Sequence, residues 1–361
     1  MRHTLAALLL ATTTWYAAPA AADDAGTHTS AAYAINDAGD IVGTIDGGAV
    51  RWDRNGNITR LSLGGSATVI NAAGTAAGGD GGPILRWDLR GRVTNLGGVE
   101  GLNVVAAINA SGTVVGSLID STVGDRAFRS TPSGTLALLP PDDGPCTGTG
   151  INAAGTAIGV CFIPSRAIRW DIGRPATSPD DGGTANDIND AGTIVGTRAS
   201  LNHAARWNPA GRLTDLGTLP GGTRSNAIRI NAAGTVAGTA DDATGATHVV
   251  RWDRAGAITD LGPLGSDLGA VVAINSIGAV VAYSGELWNL TRRPLGWDPA
   301  GRPRLLPLPP GAVAGWPTGI NATGIISGTV QFPDHSTRAV RWNGAGVAYL
   351  PVPIHRARPN R

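Results

Sequence analysis

Short stretches in which apolar positions alternate with glycine or small polar ones recur along this chain: "IVGTI" at 41–45, "TVVGSL" at 113–118, "TIVGTR" at 193–198, "TVAGTA" at 235–240. A two-residue alternation over five or six positions is the mark of a half-buried strand, and a helix would need a 3.6-residue period instead. Ahead of each alternating stretch stands Ile-Asn-x-x-Gly, with its Asn at 36, 71, 109, 152, 189, 231, 275 and 321, at intervals of 35 to 46 residues. Behind it comes a segment ending in Arg-Trp, at Trp52, Trp87, Trp170, Trp207, Trp252 and Trp342. Unit three degrades that ending to "FRS" at Ser130, and unit seven to "GW" at Trp297.

Each unit parses into four short strands: one ending in Ile-Asn, the alternating one, one ending in Arg-Trp, and one of the "GRLTDL" type (211–216). Asn-x-x-Gly suits a tight turn closed by a left-handed glycine, and "DRNG", "NPAG" and "DPAG" supply another between the third and fourth strands. Four antiparallel strands about every 40 residues is the blade spacing of a β-propeller. The predicted fold is all-β, a propeller of eight blades, with seven as the alternative. Because the array begins with a first-type strand and ends with a fourth-type one, the ring closes without a blade shared between the termini.

Composition agrees. Lys is absent and Glu occurs only at 100 and 286, while glycine (53) and proline (23) interrupt most windows, so few surface helix formers remain. The first residues, "MRHTLAALLLATTTWYAAPAAADD", have a basic start, a short apolar core and small-residue cleavage sites, the layout of an export signal. The expected organisation is a signal peptide at 1–22, one propeller at 23–353 and a polar tail at 354–361. The protein is then secreted and extracellular, with no membrane span. A net charge of +1 gives no argument for nucleic acid.

Several stretches resemble one family of extracellular repeats, named HAF after a His-Ala-Phe stretch: "HAARW" (203–207), "RAFRS" (126–130), "HVVRW" (248–252), "LTDLGTLPGG" (213–222) and the INxxGxxxG segments. The resemblance covers nearly the whole mature chain. It implies export and a β-rich repeat array, and it implies no reaction. His-Ala and Phe each occur once at those positions here, so nothing specific to that trio is carried over.

The repeated residues read as frame. Seven Trp at one strand position (52, 87, 170, 207, 252, 297 and 342) would each bury roughly 150–250 Å², on the order of 4–6 kcal/mol apiece. Nothing else in a unit offers as much apolar surface. The Arg beside each Trp points to the opposite strand face. Partly buried, it should bond to nearby carbonyls or to the Asp of the adjacent turn, as in "RWD" at Arg51, Arg86, Arg169 and Arg251. The repeated Asn is a turn residue. Cys146 and Cys161 flank the turn of unit four; a two-residue loop sets them opposite each other for a disulfide, and a three-residue loop sets them on opposite faces.

Function is expected where the repeat loosens. Strand direction alternates, so the first and third connections share one face of the disc, and the second and fourth the other. The Asn-to-Trp spacing, across the second connection, varies from 16 to 22 residues, and the Trp-to-Asn spacing, across the fourth, from 19 to 24. Variation is confined to one face, the usual arrangement for binding. Trp288 and Trp316 break the repeat on that side, with Arg292 and Arg293 close to the first; these four are the candidate binding residues for a protein or carbohydrate ligand. His203, His248 and His335 fall towards the same face. No catalytic motif, metal-ligand spacing or cofactor loop is present in the sequence. The function predicted is a monomeric secreted binding or scaffold module. An exported hydrolase or lyase with Asp, Arg and His at the channel mouth is the alternative.

Overall fold

Every regular element that the computed structural model describes is a strand. It describes residues 28–353 apart from 80–81, 100, 120–123, 141–143, 164, 180–181, 266–268, 286–291 and 345. The expected export signal at 1–22 and tail at 354–361 lie outside the described residues. The strands form eight antiparallel sheets, each paired in sequence order. They span 30–60, 69–97, 102–138, 146–170, 184–217, 225–263, 270–305 and 314–349 and are numbered here as blades 1 to 8. The chain is an eight-bladed β-propeller. Blade 4 has three strands, its fourth reduced to a bridge between Arg169 and Thr177. First strands of consecutive blades pack against one another in an unbroken circle, with the first strand of blade 1 (Ser30–Ile35) against that of blade 8 (Ala314–Ile320). First strands are therefore innermost, and each terminal blade is built from its own segment.

The repeated residues stitch neighbouring blades together, some reaching forward and some back. Seven of the eight Asn use both ends of the amide. In blade 6 the Asn231 Oδ1 accepts the Thr235 N–H at 2.9 Å, closing its own turn, while its Nδ2 donates to the Asn275 carbonyl of blade 7 at 3.0 Å. The same forward bond runs from Asn36 to Asn71, Asn71 to Asn109, Asn109 to Asn152, Asn152 to Asn189, Asn189 to Asn231 and Asn275 to Asn321. All eight Asn are buried. The expectation of a turn residue holds for the oxygen, but the nitrogen serves the interface. At the seam between blades 8 and 1, Ala322 N–H donates to Asp37 Oδ1 at 2.8 Å.

The Arg also reaches forward. Arg86 donates to the carbonyls of Gly112 (2.9 Å) and Pro132 (2.7 Å), and Arg251 to those of Gly278 (2.8 Å) and Pro299 (2.9 Å), each time on two turns of the following blade. Arg51 does the same with Gly74 and Leu89. Of the four Arg in "RWD", only Arg169 pairs with its adjacent Asp171. The other three take the carbonyl arrangement that the sequence also allowed. Arg341 donates to the Arg54 carbonyl at 2.9 Å and so closes the ring.

The indoles reach back. The seven repeat Trp are at most 5% exposed. Trp252 Nε1 donates to Leu216 O (2.8 Å), Trp297 to Leu261 O (2.6 Å) and Trp342 to Pro307 O (2.7 Å), each at the end of the preceding blade's fourth strand. Trp52 does so across the seam, to Pro351 O at 2.7 Å. Trp87 and Trp207 have no partner for their Nε1 and are held by burial alone. In blade 3 the apolar bulk moves two places upstream: Phe128 is fully buried and would lie 2.9 Å from a Cβ on Gly116, the space over the second strand that Trp170 and Trp252 fill from the Trp position. Ser130 in the vacated place accepts the Val114 N–H. In blade 7, where Gly296 replaces the Arg, Arg304 from the paired fourth strand donates to Gly324 O at 3.1 Å.

First strands bulge in seven blades, leaving out Tyr33, Ala106, Thr149, Asn186, Ile228, Val272 and Thr318 from the pairing. The bulge decides the cysteine question. Near the turn, Ile151 pairs with Ala157, the register that sends Cys146 and Cys161 apart; Thr149 drops out, and beyond it Cys146 pairs with Cys161. The two are disulfide-bonded. The bulge also carries the Asn226 carbonyl to 1.9 Å from where a Cβ on Gly238 would stand, so only glycine fits there.

Three stability outcomes follow. Asn231→Ala removes the turn cap and leaves the Asn275 carbonyl without its donor, lowering stability by about 2–4 kcal/mol in urea unfolding, while the exposed neighbour substitution Ala232→Ser leaves the midpoint unchanged. Gly238→Ala overpacks the bulge and costs about 3 kcal/mol by the same measurement. Replacing both cysteines by Ser opens a loop with a separation of 15 residues. That costs about 3 kcal/mol, and dithiothreitol should lower the midpoint of the parent but not of the variant.

Candidate functional site

The frame interactions end on one face of the disc. The first connections, 36–40, 71–75, 109–113, 152–156, 189–193, 231–235, 275–279 and 321–325, are equal in length in all eight blades. The second connections run from the two residues 46–47 to the stretch 285–292. The expected division into a uniform and a variable face holds.

On the variable face, blades 7 and 8 bring an arginine and two aromatic rings together. The Arg292 guanidinium carbon stands over the Tyr283 ring at 5.1 Å from its centroid and over the Trp316 ring at 5.3 Å. Trp316 is the third residue of the inner strand of blade 8, Tyr283 lies near the end of the second strand of blade 7, and Arg292 closes the connection between that strand and the third. The Gly315 N–H donates to the Arg292 carbonyl at 2.9 Å, which ties the connection to the neighbouring blade. All three side chains are half-buried, and Arg293 beside them is exposed. Of the four candidate residues, the structure thus joins Arg292 with Trp316 and sets Arg293 next to them. Trp288 lies outside the described residues. Tyr283 was missed, although a signal existed: the other blades carry Thr44, Gly79, Ser117, Val160, Thr197, Thr239 and Thr329 at that place.

The histidines are held by carboxylates further out on the blades. His203 Nδ1 lies 3.1 Å from Asp215. His248 Nδ1 lies 2.9 Å from Asp260, and its Nε2 3.4 Å from Asp242. Both sit at the start of third strands and pair with fourth strands, away from the innermost circle. His335 occupies a left-handed turn position, φ 65°, and is exposed. Asp241 pairs with Arg224 at 2.8 Å, and Asp242 caps its own turn, where the Thr244 hydroxyl holds its carboxyl below the usual range. The acidic stretches 141–143 and 180–181 lie outside the described residues.

One charged pair on the inner wall escaped the sequence reading. Where the other first strands carry Ala34, Val69, Ala107, Gly150, Ala273 and Gly319, blade 5 has Asp187 and blade 6 has Arg229. Asp187 accepts the N–H of Ile188 and of Ile230, each at 2.9 Å. Loss of hydration raises its pKa above the usual carboxylate value, opposed by the Arg229 charge and these two N–H groups. Arg229 in turn donates to the Val272 carbonyl at 2.8 Å. Both residues lie towards the uniform face, the end of the sheet opposite the His–Asp pairs. Among the described residues, Asp, Arg and His do not converge at one mouth of the channel. No group of residues suited to a metal ion occurs among the described residues, and no helix there is long and apolar enough to cross a membrane.

No family model matches the chain, and no curated protein does. Solved structures with the same architecture exist. The β-propeller domain of the Trilobed protease from Pyrococcus furiosus, of open velcro topology, is similar at 10% identity and TM-score 0.50, over 90% of this chain and 98% of that one. A prolyl endopeptidase structure is similar at 10% identity and TM-score 0.56, over 89% of this chain and 49% of that one. Acylaminoacyl peptidase from Pyrococcus horikoshii gives 9% identity and TM-score 0.50, over 90% and 53%. This chain spans about half the length of those two peptidases, and the likeness is one of fold.

The raised Asp187 pKa gives a pH prediction of definite sign. The folded protein holds that proton more tightly than the unfolded chain, so the contribution of Asp187 is most favourable at low pH. It is lost as pH rises from the unfolded value through the folded one. In urea titrations across that window, Asp187→Asn should show a flatter loss of stability with rising pH than the parent; equal slopes would contradict the assignment.

Proposed function

We propose that this chain is an exported binding module that holds a protein or glycan ligand on its variable face. The observation that carries the reading is the Tyr283–Arg292–Trp316 cluster. It is the one described place on that face where an arginine and two aromatic rings from different blades meet. Such residues dominate binding energetics where a rigid frame presents them. Most of the frame is engaged elsewhere: the Arg and all but one of the Asn of the repeat bond to neighbouring blades, and the repeat Trp are buried.

Export belongs to the same proposal. It draws on the layout of 1–22, the resemblance to extracellular HAF repeats, and the Cys146–Cys161 disulfide, a bond that persists in oxidising compartments.

The test compares the two faces. Ligands are sought on a glycan array and by capture from the secreted fraction, and binding is then remeasured with Trp316→Ala and with Arg90→Glu, an exposed position on the uniform face. The expected outcome is at least tenfold weaker binding for Trp316→Ala and no change for Arg90→Glu. Loss confined to Arg90→Glu would place the ligand on the other face and overturn the reading.

A further inference from the structure

The frame leaves a strong charge on the uniform face. That face is made of the five-residue first turns and the five residues after each Trp position (Ser130 in blade 3), with two residues to either side. It holds sixteen Arg against nine Asp and no Glu, an excess of seven positive charges in a chain whose net charge is +1. Every one of these charged residues is described.

The excess persists because the frame does not cancel it. Each blade sets one frame Arg at this face, and in seven of the eight the guanidinium is held by carbonyls of the next blade, as Arg129 is by Gly155 O at 3.0 Å and Arg206 by Arg254 O at 2.7 Å. A carbonyl satisfies the N–H groups and leaves the charge in place. The carboxylates are turned to backbone N–H groups: Asp53 accepts from Asn55 and Asn57, each at 2.8 Å, and Asp298 from Ala300 and Arg302, each at 2.9 Å. Beyond the frame, Arg54, Arg174, Arg212 and Arg254 extend exposed side chains from the turns of blades 1, 4, 5 and 6.

Apolar side chains project among these cations. The second residue after the Trp position is Leu89 in blade 2 and Ile172 in blade 4, 55% and 65% exposed, where blades 1 and 6 have Arg54 and Arg254. Ile277, in the first turn of blade 7, is 60% exposed. Large apolar residues set singly round a disc give a protein partner no contiguous centre to bury. Each can enter the interface of a bilayer on its own, while the Arg beside it meets the headgroups. A linear polyanion would take the charge and leave the apolar tips unused.

We propose that the uniform face docks on a bilayer containing anionic lipid, drawn by its Arg and seated by Leu89, Ile172 and Ile277 in the interface. The variable face is then turned away from the membrane and open to its own ligand. The docking does not depend on the variable-face reading.

The chain from residue 23 onward is sedimented with vesicles of phosphatidylcholine alone and of phosphatidylcholine mixed with phosphatidylglycerol, at low and high salt. The expected result is binding to the mixed vesicles only, weakened by salt. Arg212→Gln and Arg254→Gln should each weaken it roughly fivefold. Leu89→Asn combined with Ile277→Asn should weaken it by about as much, and Arg126→Glu, exposed on the variable face, should leave it unchanged. A melting curve for each variant checks folding. Equal weakening by Arg126→Glu would overturn the assignment to this face, as would binding lost only when Arg356, Arg358 and Arg361 of the tail are changed to Gln. Binding to heparin or duplex DNA that exceeds vesicle binding and ignores Leu89 and Ile277 would put a linear polyanion in place of the bilayer and overturn the proposal. So would a failure to bind the mixed vesicles, which leaves the Trp316 comparison for the variable face untouched.

Discussion

The structure depends on the amide of one repeated asparagine. Blades that converge on an axis must bury the turns at their inner ends, and a buried turn carries backbone groups that need partners. The Asn side chain meets both needs at once, its oxygen capping its own turn and its nitrogen donating to the corresponding carbonyl of the next blade. Made seven times round the disc, this bond joins eight marginal sheets, seven of four strands and one of three, into one object. A single sheet of this kind has no second face to pack on, and the forward Asn and Arg bonds with the backward indole bonds join each blade to both neighbours.

That arrangement explains which deviations the repeat tolerates. Unit three loses its tryptophan, and Phe128 brings an aromatic ring over the same strand from two residues upstream. Unit seven loses its arginine, and Arg304, opposite on the paired strand, reaches the same kind of turn carbonyl. In both cases the interaction is kept while the residue that makes it moves. Interface geometry, rather than the letter of the repeat, is what the chain holds constant.

The same geometry separates frame from site. Asn turns and Arg clamps occupy the ends of the strands on one face, where connection length cannot vary without losing a partner. On the other face the bonds between blades, such as Ser225 N–H to the Asn202 carbonyl and Gly315 N–H to the Arg292 carbonyl, reach connections of different length, and there an arginine meets aromatic rings of two blades. Asp187 and Arg229 show the limit of variation at the centre: a charge on the inner wall is accommodated with two backbone N–H donors and an opposite charge in the adjacent blade.

The sequence by itself determined the repeat, the four-stranded unit and the face on which connections vary, because each of these is a matter of period and spacing along the chain; it favoured eight blades with seven as the alternative, and the structure decided for eight. It also singled out Trp288 and Trp316, since they interrupt the repeat, with Arg292 and Arg293 close to the first. Tertiary structure alone decided what the repeated side chains touch. The Asn nitrogen, the direction of the Arg clamps and the meeting of Tyr283 with Arg292 all join residues of different strands or blades, whose distances depend on how the blades turn about the axis. The cysteine pairing lay between the two: loop length left two registers open, and a bulge at Thr149, imposed by packing round the inner circle, selected the one that sets Cys146 opposite Cys161.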